Sequence, residues 1–180
     1  MINPRVTDAI LSLLSDTVSD DLAHLRTALI SPDGREIVAT DGCSLVKINL
    51  SEGLTTALVG DRLNPDAARR LIKAGKYPER SASDAAFPEF ARVIPAIAPD
   101  TSNADGRYDA NTAPSCGLDA ALLARVLSGI AKISKACGSR MAGVTLRHSS
   151  DGLTPMRVDA KFHAGDVDVE IVAVVMPARV

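Results

Sequence analysis

The sequence predicts an α+β protein in which helices cover one face of antiparallel sheets. Three observations carry this expectation. Stretches with helical spacing of apolar residues alternate with short, turn-bounded runs of strand character. The order helix, strand, S-x-D-G turn, strand, turn, strand occurs at 5–50 and again at 118–177. Hydrophobic residues make up 46% of the 180-residue chain, with aromatics at 3% and no Trp, so a sizeable core must be built from Ala, Val, Leu and Ile.

The first helix is expected over 5–18. Val6, Ile10, Leu13, Leu14 and Val18 recur at steps of three and four, with Asn3 as cap and Pro4 just inside. Three antiparallel strands follow over 24–50. They are separated by Ser31-Pro32-Asp33-Gly34 and Asp41-Gly42, where Pro presets φ and Gly accepts the closing conformation. A second helix over 64–75 opens on Asn64, Pro65 and Asp66 and closes on Gly75. The run AFPEFARVIP is confined by Pro88 and Pro95 to an edge or an extended crossing. Residues 96–115 read as a surface connection, with a short strand near Arg107–Ala110.

The clearest helix is at 118–136, with Leu122, Val126, Ile130 and Ile133 as its core stripe and Gly138 at its end. Strands then return as MAGVTLRHS, TPMRVDAKF and VDVEIVAVVMP. LRTALISPDG (from Leu25) and GVTLRHSSDG (from Gly143) align, sharing a Thr and the Ser, Asp and Gly of the turn. The whole chain, 1–180, reads as one pseudo-symmetric domain: repeat one at about 5–50, an insert at about 51–117 carrying the extra helix, and repeat two at about 118–180.

Twenty Lys and Arg against 22 Asp and Glu give a net charge of −2, which argues against a conventional DNA-binding domain but allows one basic surface. The scarcity of aromatics argues against binding single strands by base stacking. Cys43, Cys116 and Cys137 have no metal-ligand spacing and read as buried, reduced thiols, which makes the cytoplasm the expected compartment. Neither a signal peptide nor a membrane span of about 20 residues is expected from the apolar runs.

Three segments carry a family resemblance. REIVATDGCSLVKI (35–48) is similar to a strand pair with an A-T-D-G-H-R-L-type turn. FPEFARVIP (87–95) is similar to an F-P-D-Y-x-R-V-L/I-P signature. AVVMPARV (173–180) is similar to a terminal V-M-P-M-R-L. Together, and in this order, they resemble the bacterial DNA sliding clamp, the DNA polymerase III beta subunit family. The chain is too short for the family's three domains, and Cys43-Ser44 replaces His-Arg in the turn.

The resemblance implies a DNA-clamp fold and a processivity factor for DNA replication. It also implies a groove that takes linear peptides from DNA polymerase and other replication proteins. Carried over position by position, that groove uses Thr40, Gly42, Leu45, Pro88, Arg92, Val93, Val174, Met176, Pro177 and Arg179. Leu, Val, Met and Pro side chains suit an apolar slot, and Arg92 and Arg179 suit a peptide backbone or carboxylate.

The resemblance further implies helices that contact double-stranded DNA through its backbone. At ~100° per residue, Arg125, Lys132 and Lys135 fall within about 80° of one another, roughly opposite the core stripe of the last helix. Arg69, Arg70, Lys73 and Lys76 share a face of the second helix. A solvated helix face would look the same, whereas true phosphate contacts would weaken steeply with salt.

Catalysis finds little support. His24, His148 and His163 are scattered, and Asp41, Cys43 and Ser44 lie on a strand whose neighbours point to opposite faces. Asp166, Asp168 and Glu170 alternate with apolar residues as the acidic face of a half-exposed strand, and no P-loop or dinucleotide fingerprint appears. No enzyme, cofactor or metal is therefore expected. Two roles compete: a clamp that self-assembles into a homo-oligomeric ring, and a non-ring adaptor or decoy that keeps the peptide groove alone. The clamp is the leading reading; Pro88, Pro95 and the short insert suggest at least one blunted sheet edge, which keeps the second role alive.

Overall fold

The computed structural model describes residues 2–19, 21–22, 25–54, 60–76, 80–81, 86–95, 118–147 and 155–177. Among them are three α-helices and one seven-stranded antiparallel sheet. The expected strand near Arg107–Ala110 lies outside the described residues.

Helix α1 spans Pro4–Ser15, and the Asn3 side chain accepts from the Arg5 amide at 2.9 Å. It ends before Val18, and the Thr17 hydroxyl donates to the Leu13 carbonyl at 2.7 Å, satisfying one of the carbonyls a helix end leaves open. Strands β1 (Ala28–Ile30), β2 (Glu36–Thr40) and β3 (Ser44–Leu50) form the expected antiparallel series. Two-residue β4 (Arg62–Leu63) pairs with β1. Helix α2 spans Pro65–Lys73, with Asn64 accepting from the Ala67 amide at 3.0 Å and Gly75 at φ 72° turning the chain away.

Helix α3 spans Ala120–Ala136, capped by Asp119, whose carboxylate accepts from the amides of Ala121 and Leu122. Strands β5 (Thr145–Arg147), β6 (Met156–Ala164) and β7 (Val167–Val175) follow. β5 is shorter than the run from Met141 suggested. Met141–Val144 are exposed, and the Met141 carbonyl is taken by the hydroxyls of Ser134 and Ser139 instead of a strand partner.

The sheet order is β4-β1-β2-β3-β7-β6-β5. β3 and β7 meet at the centre, with β2 and β1 running outward on one side and β6 and β5 on the other. This is the arrangement a two-fold relation between the repeats would produce. The β3–β7 register runs from Ser44 opposite Val175 to Leu50 opposite Val169.

Alternation along the strands sorts the side chains onto two faces. Ile37, Ala39, Val46, Ile48, Val158, Ile171 and Ala173 join the helix residues Val6, Ile10, Leu13, Val126, Ile130 and Ile133 in one core. Each Val, Leu or Ile side chain among them contributes about 1.5–3 kcal/mol when fully buried, so this layer dominates the fold. α1 lies between α2 and α3, which explains why it buries a face wider than its sequence stripe and takes in Ala9 and Leu11.

Candidate functional site

The other face of the sheet is not bare. Val38, Leu45 and Val174 project there and are covered by Phe87, Phe90, Val93 and Ile94, with Leu29 alongside. The covering segment, 86–95, contains no strand. It crosses the sheet with a 3₁₀ turn at Phe90–Arg92, so the edge-strand alternative for AFPEFARVIP is set aside in favour of the crossing. Pro88 offers no amide to a ladder, which leaves the segment free to be held by side chains. The Arg62 guanidinium stands 5.0 Å from the centre of the Phe87 ring, and the Lys47 ammonium 5.8 Å from that of Phe90. The two rings meet edge-on at 6.3 Å. Arg157, itself bonded to Asp159, donates to the Pro95 carbonyl at 3.0 Å and fastens the far end.

Between this strap and the β2–β3 turn opens a cleft of about 180 Å³, lined by Leu25, Thr40, Gly42, Cys43, Ser44, Leu45, Pro88, Phe90, Val93, Val174 and Met176. Its turn wall is built by hydrogen bonds. The Thr40 hydroxyl donates to the Ser44 carbonyl at 2.7 Å and accepts from the Gly42 amide at 3.1 Å. One Asp41 carboxylate oxygen accepts from the amides of Cys43 at 2.9 Å and Ser44 at 2.6 Å, and from the Ser44 hydroxyl at 3.1 Å. Gly42 holds φ at 89°, a conformation that side chains with a Cβ rarely adopt. The Met176 amide donates to the Cys43 carbonyl at 3.0 Å, tying the last motif segment to the first.

Asp41 is the electrostatic centre of that wall. Burial alone would push its carboxyl up, but the amides of Ser44 and Cys43, together with the Arg125 guanidinium, hold it below the ordinary value. Adjacency in sequence suggested that Asp41 and Ser44 point to opposite faces. The turn instead folds Asp41 back onto the Ser44 hydroxyl, and the third partner is Arg125, not a histidine.

Seven of the ten groove positions named from sequence line this one cleft: Thr40, Gly42, Leu45, Pro88, Val93, Val174 and Met176. They come from three segments separated by tens of residues. Two others do not line it. Arg92 is 81% exposed and paired with Glu89 at 3.2 Å, because the 3₁₀ turn places those two side chains on its solvent side. Pro177 is drawn into an antiparallel bridge with Leu118 at the start of α3. Arg179 lies outside the described residues. Sequence reasoning missed Leu25, Cys43, Ser44 and Phe90. Phe90 sits inside the same motif as Pro88 and could have been found by its size, whereas Leu25 reaches the cleft only through the tertiary fold.

The basic helix faces need a parallel correction. Arg125 is not free on the outer row: its guanidinium is committed to Asp41 and to the Ser44 hydroxyl. Arg69 is half-buried against Asp8 of α1 at 3.0 Å, and Lys132 stands 3.9 Å from Asp16. Lys132 is nevertheless exposed, as are Arg70, Lys73, Lys76 and Lys135, and none of the last four makes an ion pair with a described residue.

The acidic strand face is matched by Lys161, 2.7 Å from Glu170, and by His163, 2.5 Å from Asp168. His24 and His148 lie outside the described residues. Among the described residues, no group of three His, Cys, Asp or Glu side chains could hold a metal ion, and no helix is long and apolar enough to cross a membrane. Neither a protein-family model nor a curated protein matches the sequence.

Proposed function

We propose that this chain is a sliding-clamp-like accessory protein of DNA replication, whose cleft docks a short linear peptide from a DNA polymerase or another replication protein. The carrying observation is convergence: the three segments that resemble clamp motifs, remote in sequence, meet as the walls of one cleft. At about 180 Å³ it is smaller than the ~300–1,000 Å³ typical of drug-sized ligand sites, and it suits one or two side chains of an extended peptide. Val174, Leu45, Val93 and Met176 offer apolar contact, and Met176 adapts to different anchors. Two buried anchors at about 1.5–3 kcal/mol each, less the cost of ordering a peptide, correspond to weak and readily exchanged binding.

The DNA part of the reading rests on Arg70, Lys73, Lys76 and Lys135. They would meet phosphates without reading bases. The non-ring adaptor or decoy is favoured by one observation. The two sheet edges are unequal, since β4 is two residues long and Arg62 is bridged to Ser81, while β5 pairs with no further strand among the described residues. A head-to-tail ring needs two complementary open edges. The reading is tested by titrating a fluorescein-labelled linear peptide, carrying one leucine and one phenylalanine among polar residues to match the two anchors, and following anisotropy. Saturable binding that Met176→Asp abolishes supports it, whereas binding indifferent to that change refutes it. Light scattering across a concentration series separates ring from adaptor.

A further inference from the structure

Arg125 belongs to α3, in the helical layer, yet its guanidinium ends at the β2–β3 turn, 84 residues away in sequence, where it meets the Asp41 carboxylate and donates to the Ser44 hydroxyl at 3.0 Å. Its side chain is 32% exposed and that of Asp41 is 15% exposed. The Asp41 oxygen not used by the turn amides is the one that takes the guanidinium, so the carboxylate is gripped from both ends. Cys43 and Ser44, whose amides depend on that carboxylate, are themselves lining residues of the cleft.

We propose that Arg125 is a positioning residue of the cleft: from the helical layer it fixes the turn Asp41–Ser44, and so sets the shape of the wall that a bound peptide meets. This rests on the peptide-docking reading above. A charge-assisted pair of this kind, partly shielded from water, is stronger than a neutral hydrogen bond and directional. Without it Asp41 would keep its turn amides but lose the tether that fixes the turn against α3. Arg125 is thereby removed from the row available to phosphate. Its loss should alter peptide binding and leave double-stranded DNA retention unchanged, whereas Lys135→Met should do the reverse.

The test compares wild type, Arg125→Met, Arg125→Lys and Lys135→Met in three measurements. These are amide hydrogen exchange at Cys43 and Ser44, anisotropy of the labelled leucine- and phenylalanine-bearing peptide, and retention of a 30-base-pair duplex. For Arg125→Met we expect faster exchange at both amides, a peptide Kd raised roughly 3- to 10-fold, and unchanged duplex retention. Arg125→Lys, which keeps the charge but not the fork, should fall between. Should Arg125→Met not fold, Arg125→Lys and Ser44→Ala carry the same comparison. Unchanged exchange and unchanged peptide affinity overturn the proposal, as does a loss of duplex retention equal to that of Lys135→Met. Absence of peptide binding by the wild type, with exchange at Cys43 and Ser44 still accelerated in Arg125→Met, overturns the docking reading and leaves Arg125 a structural tether only.

Discussion

Gly129 of α3 lies so close to Leu13 of α1 that a Cβ added to the glycine would stand 2.4 Å from the leucine Cδ1. Leu13 is fully buried, so it cannot swing into solvent to make room. Gly129→Ala gains about 0.5–1 kcal/mol of helix propensity. It meets an overpacking cost of about 1–3 kcal/mol. We expect a net loss, read as a Tm lowered by about 2–6 °C. An unchanged or raised Tm would show that the α1–α3 contact is looser than described.

The lowered pKa of Asp41 links the cleft wall to acid. Its stabilisation is complete above the ordinary carboxyl value of 3.8 and is lost as pH falls through the depressed folded value. Asp41→Asn should be less stable than wild type at neutral pH, and the gap should narrow as pH falls below about 4. Urea unfolding at a series of pH values measures both. A gap that stays constant into acid would mean that Asp41 carries no such linkage.

Four exposed cations on α2 and α3 define the DNA expectation. If Arg70, Lys73, Lys76 and Lys135 each meet a phosphate, log K should fall with log salt by about 0.9 per contact. The double change Arg70→Ala, Lys73→Ala should reduce that slope by about 2. An unchanged slope would mark these residues as a solvated face only.

The cysteines report on the cleft directly. Cys43, expected to be buried, is exposed at its rim because it sits at the tip of the β2–β3 turn, while the half-buried Cys137 has its thiol pKa pushed up by burial; Cys116 lies outside the described residues. Iodoacetamide should label Cys43 well before Cys137, as mapped by mass spectrometry of peptides. A docked peptide should slow the labelling of Cys43 and leave that of Cys137 unchanged.

Much of the fold was legible in the sequence because it depends on local rules. Asn3, Asn64 and Gly75 mark helix ends, and the turns at Ser31–Gly34 and Asp41–Gly42 fix hairpins. The candidate cleft was legible only through resemblance. Nothing in periodicity brings Val174 to Val38 and Leu45, since that depends on which strands become central neighbours. The acids beside Arg125, Arg69 and Lys132 were not legible, because angle around a helix says which way a side chain leaves but not which acid waits beside it. Leu25 in the cleft and Gly129 against Leu13 follow from tertiary packing alone.

The most direct measurement is the anisotropy titration of the labelled leucine- and phenylalanine-bearing peptide against wild type and Met176→Asp, with thermal melts to verify that both are folded. Met176 is 37% exposed, so the change charges the cleft without emptying the core. We expect saturable binding to the wild type and none to the variant. Equal binding to both, or none to either, would contradict a peptide-docking cleft.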